Sequence, residues 1–569
     1  MKRTAKYVGL SLAIATMFAT AACGNGNNGN NASESQSSST TATASPEASS
    51  AASESASAET IDPFGKYDPP IEVAVVRNTD STVKFKEGES FDKNAWNSAY
   101  ADRLGIQIVN KWVVQSDQYD QKMNASIAAG DLPDVFRVNA VQFKQLADAG
   151  QLEDLTEVYE KYASPLGRES IELGQVAKAA STIGGKLLAI PQGQDYFGGA
   201  PLLWVRTDWL AKLGLPEPKT MQDVFAISEA FTNQDPDGNG KADTLGLALS
   251  KELFGGYPDV TGFMNGFHAY PKIWVKDASG KLVYGSIQPE VKAALAKLQE
   301  MFKAGQIDKE FGVKDSNKAS ELEVNGKLGM HFGAMWNPLF PLQGNKDKEP
   351  QADWKPFPIP SIDGTVAKAQ SSLDYNQFWV VRKGYEHPEA IIKLFNLIVD
   401  TFNPKGKSQN PEVYHSKDGI EFHKYALLAN TGTGEGLIGV QRNIKAAFES
   451  GDASKLTGEE KGYYDKIVAH QGGDNSGWGT DRVFGNESSW SVISKYYDQN
   501  KQLIVNEFIS APTATMGDRK ATLEKLELET FTKIILGSPI DEFDAFVADW
   551  KKLGGDDITT EVNEWYATK

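Results

Sequence analysis

Residues 24–60 contain no aromatic and no branched aliphatic side chain: Ser, Ala, Asn, Thr, Glu and Gly fill them with one Gln and one Pro. A stretch of that kind cannot bury apolar surface to offset its chain entropy, so it is expected to act as a flexible leash between a short leader and a long folded body. As a flexible coil of 37 residues it has an r.m.s. span of about 30–35 Å. Within it, Gly24-Asn-Gly26-Asn-Asn-Gly29 matches the GxGxxG string but has no strand before it and no helix after it, and reads as low complexity.

The leader carries Lys2, Arg3 and Lys6 ahead of an apolar run from Val8 to Ala22, too short to span a bilayer comfortably and of the form of a secretory signal peptide. It ends in Thr20-Ala-Ala-Cys23. That resembles a lipobox, the signal for attaching diacylglycerol to the cysteine sulfur and cleaving before it, although Thr20 stands where an aliphatic residue is usual. Cys23 is the one cysteine of the chain, which excludes an internal disulfide and any metal site built from several thiolates. With a formal net charge of −17, rising in magnitude once the three leader cations are removed, no basic face for nucleic acid is expected. The mature protein is expected at the extracellular face of the cell membrane, lipid-anchored through Cys23.

From residue 68 short apolar runs alternate with helical patterns. Ile71 to Val76, Ile106 to Val114, Val135 to Val138, Leu187 to Ile190, Leu202 to Val205 and Phe378 to Val381 read as buried strands. A helix is expected from Thr220, an N-cap with Asp223 three residues on and Val224, Ile227 and Phe231 in one stripe. Further helices are expected near Pro388 (Ile391, Ile392, Phe395, Val399) and from Pro539 (Ile540, Phe543, Val547, Trp550), the latter stopped by Gly554-Gly555. A second GxGxxG string, Gly434 to Gly439, follows no convincing strand and reads as a loop. The alternation predicts an α/β architecture.

Gly185-Lys-Leu-Leu-Ala-Ile-Pro191 and Leu202-Leu-Trp-Val-Arg-Thr-Asp-Trp-Leu-Ala-Lys-Leu-Gly214 resemble the region of family 1 extracellular solute-binding proteins where the chain first crosses between lobes. Ala129 to Val135, Gly326 to Trp336, Glu529 to Ile535 and Phe546 to Gly555 are similar to further family segments in the same order, the last two to large Gram-positive lipoprotein members. The resemblance spans about residues 70–569. It implies a periplasmic-binding-protein-like clamshell, type II-like, of two α/β lobes joined by crossovers near 192–204, 356–364 and 425–440. The corresponding divisions are 1–22 leader, 23–67 lipidated Cys and linker, 68–195 and 359–430 in lobe 1, and 196–358 and 431–569 in lobe 2. It also implies a ligand trapped on closure and handed to the membrane subunits of an ABC permease, since the chain has no span after the leader and no nucleotide-binding loop of its own. A monomer is expected.

Asp235-Pro-Asp237-Gly-Asn239-Gly240-Lys241-Ala-Asp243 places oxygen side chains at positions 1, 3, 5 and 9 of a calcium loop, with Gly at 6 and the Lys241 carbonyl at 7. Position 12 is Gly246 instead of the bidentate Glu of an EF-hand. The resemblance adds that alginate-oligosaccharide-binding members carry a similar loop, which implies a structural calcium ion; the alternative is a turn without metal.

Twelve tryptophans and nineteen tyrosines suit a protein that holds sugars, because a pyranose C–H face stacks on aromatic rings while its hydroxyls need polar partners. By resemblance to maltose-binding relatives Trp336 is the first stacking candidate. Trp478, in Asn475-Ser-Gly-Trp-Gly, is the second, as a ring in a Gly-rich loop; the alternative for either is a place in the core. Polar candidates at strand ends and crossovers are Asn78, Asn139, Gln142, Gln192, Gln194, Asp374 and Tyr375. An oligosaccharide is expected over a single sugar, a peptide or a metal, because insertions such as 400–480 would widen the cleft; neutral and uronic acid oligomers both stay open. The six histidines form no HExxH pair, and GxSxG and P-loop strings are absent from the sequence, so no enzyme is expected. A tethered glycan sensor without import and a secreted glycoside hydrolase are the alternatives.

Overall fold

The computed structural model describes residues 61–568 apart from 81–82, 173–174, 193–196, 372–376, 404, 415–419, 429–435, 457 and 511. The leader, Cys23 and the 24–60 segment lie outside the described residues, as do Gln194, Asp374 and Tyr375.

The first lobe opens with Ile71–Thr79, which pairs in parallel with Ile106–Gln115. Beside them Gln377–Val381 runs antiparallel between Val135–Asn139 and Ile190–Gln192. The short apolar runs are therefore strands, and each begins within a few residues of its sequence signal. Only the 187–190 run is divided, into Lys186–Leu187 and Ile190–Gln192. Behind the sheet lies Ala390–Phe402, whose residues from Ala390 to Thr401 are all buried; a helix apolar nearly all round is a core helix. Two of its four buried polar side chains tie it to neighbouring segments. Lys393 Nζ donates to the Gly65 carbonyl at 2.6 Å, and Asn396 Nδ2 donates to the carbonyls of Pro63 at 3.0 Å and Tyr162 at 2.7 Å.

The second lobe is built on Leu202–Arg206, buried along its whole length between the antiparallel strands Met330–Gly333 and Trp354–Phe357. Around it pack Met221–Asn233, Pro289–Lys303, Ala514–Leu536 and Glu542–Trp550. The Thr220 expectation holds: its hydroxyl accepts from Asp223 N while the Asp223 carboxylate accepts from Thr220 N, a closed capping box. The chain changes lobes between Gln192 and Leu202. It stays with the second lobe longer than a boundary at 358 allows, because Ile359, Ala367 and Ala369 are part of that lobe's core and Ala369–Ser371 pairs with Leu503–Val505. It returns to the first lobe before Gln377. Leu428 packs in the first core and Ile438 in the second, so the last change falls between them.

Two readings of the 400–480 region are corrected. Gly436–Ser450 is a helix, so the Gly436-to-Gly439 part of the second glycine string is not a loop: Ile438, Val440 and Ile444 supply the apolar stripe that seats it on the second lobe. Nor do the described residues of the 400–480 insertion line the cavity between the lobes: Tyr414, Phe422 and Tyr425 pack on the first-lobe core, and the helices from Gly436 onward pack on the second-lobe core through Ile438, Ile444, Ile467 and Trp478.

Candidate ligand cleft and acidic loop

A cavity of about 640 Å³ lies between the lobes, well inside the range of small-ligand sites. From the first lobe it receives Gln192 and Gln377, which face each other across the antiparallel register. Gln192 Oε1 accepts from Trp379 Nε1 at 2.9 Å, which fixes the carboxamide. From the second lobe come Gln370, Lys272 and two loops meeting at Gly256 and Trp336. Gln370 is oriented from both ends: its Nε2 donates to the Pro271 carbonyl at 2.8 Å and its Oε1 accepts from Asn265 at 2.9 Å.

The Trp336 platform is built by close approach. Gly256 has φ +86°, and a Cβ there would stand 3.3 Å from the Trp336 ring, so only glycine lets the two loops lie flat together. Asp259 holds the Gly256 loop by accepting from the backbone N–H groups of Gly255, Gly256 and Thr261 at 3.1, 2.9 and 2.7 Å. The turn after Met330–Gly333 is held in turn by Ala334 N donating to the Gly256 carbonyl at 2.8 Å and by Asn337 Nδ2 donating to the same oxygen at 3.2 Å. Beneath it, fully buried His331 sits with Nε2 3.1 Å from Asn337 Oδ1 and Nδ1 2.8 Å from Glu323. Because the Asn337 amide nitrogen is turned to Gly256, its oxygen requires a proton on His331 Nε2. Burial, and the Glu323 carboxylate beyond it, push the neighbouring Tyr257 hydroxyl far above its usual range. Above this scaffold Trp336 remains 36% exposed into the cavity.

The other sequence candidates divide sharply. Trp336 and Gln192 line the cavity. Trp478 does not: it is the first residue of the helix Trp478–Phe484 and is 1% exposed, packed on the second-lobe core with its indole nitrogen 3.4 Å from Asp353. Asn139 and Gln142 are the capping box of Ala140–Asp148, each accepting the other's backbone N–H, and Gln142 is buried against Asn124; their amides are committed to a helix start. Asn78 is bound within the first lobe, accepting from Arg137 at 2.9 Å and donating to Ser116 at 2.8 Å. Sequence reasoning missed Gln377, Gln370, Lys272 and Gly256. Gln377 alone had a local signal, as the residue opening the predicted Phe378 strand.

The acidic loop turns its oxygens inward. The Asp235 carboxylate accepts from the backbone N–H groups of Gly238, Asn239 and Gly240 at 2.9–3.1 Å, and the Gly240 bond leads the causes that hold its pKa below the usual range. Lys327 reaches in from outside, its ammonium 3.0 Å from Asp237 and 2.9 Å from Asp243. Burial opposes the Lys327 charge, but these bonds outweigh it and raise its pKa, while the same contact leads the lowering at Asp243. Gly246 cannot be replaced by a liganding Glu, because a Cβ there would meet Ser228 Oγ at 2.1 Å. Among the described residues no cluster of three or more His, Cys, Asp or Glu is arranged to hold a metal. The donors are nonetheless all hard oxygens of the class calcium takes, gathered around a cationic group.

The chain is similar to the lipoprotein LipO of Bacillus subtilis, 24% identical over 495 residues and covering 84% of this chain and 89% of the relative. It is equally similar to the polygalacturonan/rhamnogalacturonan-binding protein YtcQ of the same organism, 24% identical over 463 residues with 80% and 84% covered. In fold it matches the Streptococcus pneumoniae ABC-transporter substrate-binding protein FusA, solved as an EF-hand mutant in complex with fructo-nystose, at a TM-score of 0.60 and 16% identity, covering 88% of this chain and 99% of that one. Residues 84–401 match the bacterial extracellular solute-binding protein family, and the two-lobed chain described above belongs to that family.

Proposed function

We propose that this protein captures an oligosaccharide between its lobes and presents it to the membrane subunits of an ABC permease, with no catalytic step of its own. The observation that carries the reading is Trp336: a ring on a rigid platform facing a cavity whose other walls offer the oriented carboxamides of Gln192 and Gln370. An apolar face beside fixed hydrogen-bonding groups is what a sugar ring requires. A relative that is a polygalacturonan/rhamnogalacturonan-binding protein and a protein of the same fold solved in complex with fructo-nystose support it. Closure follows if the ligand contacts both lobes, since only differential affinity for the closed form shifts the population. Titration of the protein with galacturonic acid and inulin-type fructan oligomers, followed by calorimetry, tests the reading. Saturable binding with the oligomer recovered intact by chromatography is expected; binding of peptides with no response to either sugar series would overturn it.

We infer further that the mature chain is a monomer tethered through a lipid on Cys23. No helix among the described residues is long and apolar enough to cross a membrane; the anchoring signal of this reading is the leader that ends in Cys23. A Cys23→Ala strain is expected to lose the protein to the medium.

We also propose that the Asp235–Asp243 loop binds calcium through the side chains of Asp235, Asp237, Asn239 and Asp243 and the Lys241 carbonyl, with Lys327 leaving its place between the carboxylates. The ion would join the loop to the end of Met221–Asn233, a structural role. Calcium titration that leaves the melting temperature unchanged up to the millimolar range would remove the assignment.

A further inference from the structure

A second compartment of about 360 Å³ opens beside the first. One side is the first lobe, at Ala140 and Ala180; the other is the second lobe, where Trp274, Phe508 and the stacked pair Tyr284 and Trp550 form an aromatic wall. The stacked rings lie 5.0 Å apart and 6° from parallel. The two compartments share one residue, Lys272, and the segment from Pro271 to Trp274 contributes to both.

Lys272 is held in that position at a conformational cost. Its φ is +65°, a region non-glycine residues seldom occupy without compensation. The compensation is visible: its N–H donates to Ser286 Oγ at 2.7 Å, and Ser286 Oγ donates to buried Glu527 at 3.0 Å. The ammonium projects over the Phe254 ring, 4.6 Å from its centroid, and remains exposed. Phe254 itself lines the first compartment. A strained backbone thus places a hydrogen-bonding cation at the junction of two cavities, both lying between lobes that must close on a ligand.

We infer that the two compartments are one cleft, and that the ligand is an oligosaccharide chain long enough to run from the Trp336 platform past Lys272 into the aromatic compartment. This rests on the oligosaccharide reading above and names the length class of its ligand. A single sugar or disaccharide would leave the second compartment without an occupant. A longer chain fills that compartment against the edges of rings already packed on one another and gives Lys272 a unit to donate to.

The test is calorimetry on the full mature chain with two homologous ladders, galacturonic acid oligomers and inulin-type fructans of two to six units. Ala140→Trp and Ser510→Trp fill the second compartment from opposite lobes, so that a folding defect in one leaves the other as the probe. In the wild type, affinity is expected to rise at least tenfold from the shortest to the longest binding oligomer. That gain with length should vanish in the filled variants, whereas Trp336→Ala should weaken every length. A gain that survives in a folded filled variant, or a wild-type affinity that does not change with length, overturns the inference and leaves the oligosaccharide reading intact. Failure of the wild type to bind either ladder defeats that underlying reading instead.

Discussion

The side-chain oxygen of Asn337 faces Nε2 of fully buried His331 at 3.1 Å, and through Asn337 Nδ2 the same residue reaches the Gly256 carbonyl on the opposing loop. One carboxamide therefore joins both loops that shape the Trp336 platform. Replacing it by alanine removes two hydrogen bonds and leaves a buried imidazole N–H unsatisfied, about 1–3 kcal/mol. Asn337→Ala is expected to lower the melting temperature by several degrees and to weaken oligosaccharide binding about tenfold, read by calorimetry on protein whose circular dichroism is unchanged.

Trp336 and Trp478 make a matched pair of opposite expectation. Trp336→Ala removes a stacking face of about 2 kcal/mol and should weaken oligosaccharide binding roughly thirtyfold with little change in stability. Trp478→Phe keeps an aromatic ring but loses packing volume and the contact with Asp353, so it should lower stability by about 1–2 kcal/mol and leave affinity unchanged. An affinity loss in Trp478→Phe without destabilisation would return that ring to the ligand site.

Glu527 gives the stability a pH dependence of definite sign. Burial first, against the smaller opposing effects of Lys272, Ser286 and Tyr284, pushes its pKa from the ordinary 4.5 up to about 7. The folded state therefore holds a proton that the unfolded state releases between those values. This group's contribution falls as pH rises through that window and is fully lost above it, by about 3 kcal/mol. Glu527→Gln should melt higher than wild type at pH 8 and match it near pH 4, in thermal scans at both.

Lys327 competes with any cation for the acidic loop. Lys327→Gln is expected to bind calcium at least tenfold more tightly than wild type by calorimetry, because the ion no longer displaces an ammonium from Asp237 and Asp243. Without calcium the same variant should melt lower, as those two carboxylates lose their counter-charge. A variant indifferent to calcium in both respects would mark the loop as a lysine-neutralised turn.

What the sequence disclosed and what it hid divide along the range of the interactions. Strands at Ile71, Ile106, Leu202 and Gln377 and the capping box at Thr220 are local chemistry, written in short apolar runs and a three-residue spacing. Asn139 and Gln142 carry that same spacing, and it, rather than their position after a strand, decides what their amides do. Trp478 misled because the glycines beside it suggested a loop. Gly479 instead lets the helix backbone approach Pro338, where a Cβ would meet the carbonyl at 2.8 Å. Lys272 and Gln370 were invisible because a cleft wall gathers residues from segments far apart in the chain, and no spacing between them records that they meet.

The bonds from Lys393 and Asn396 to the carbonyls of Gly65 and Pro63 have a mechanical meaning. They fasten the first described turn of the chain to the central helix of one lobe, so the chain enters the folded body already held in that lobe's core. In the closure proposed above, the other lobe is the one that moves without this attachment.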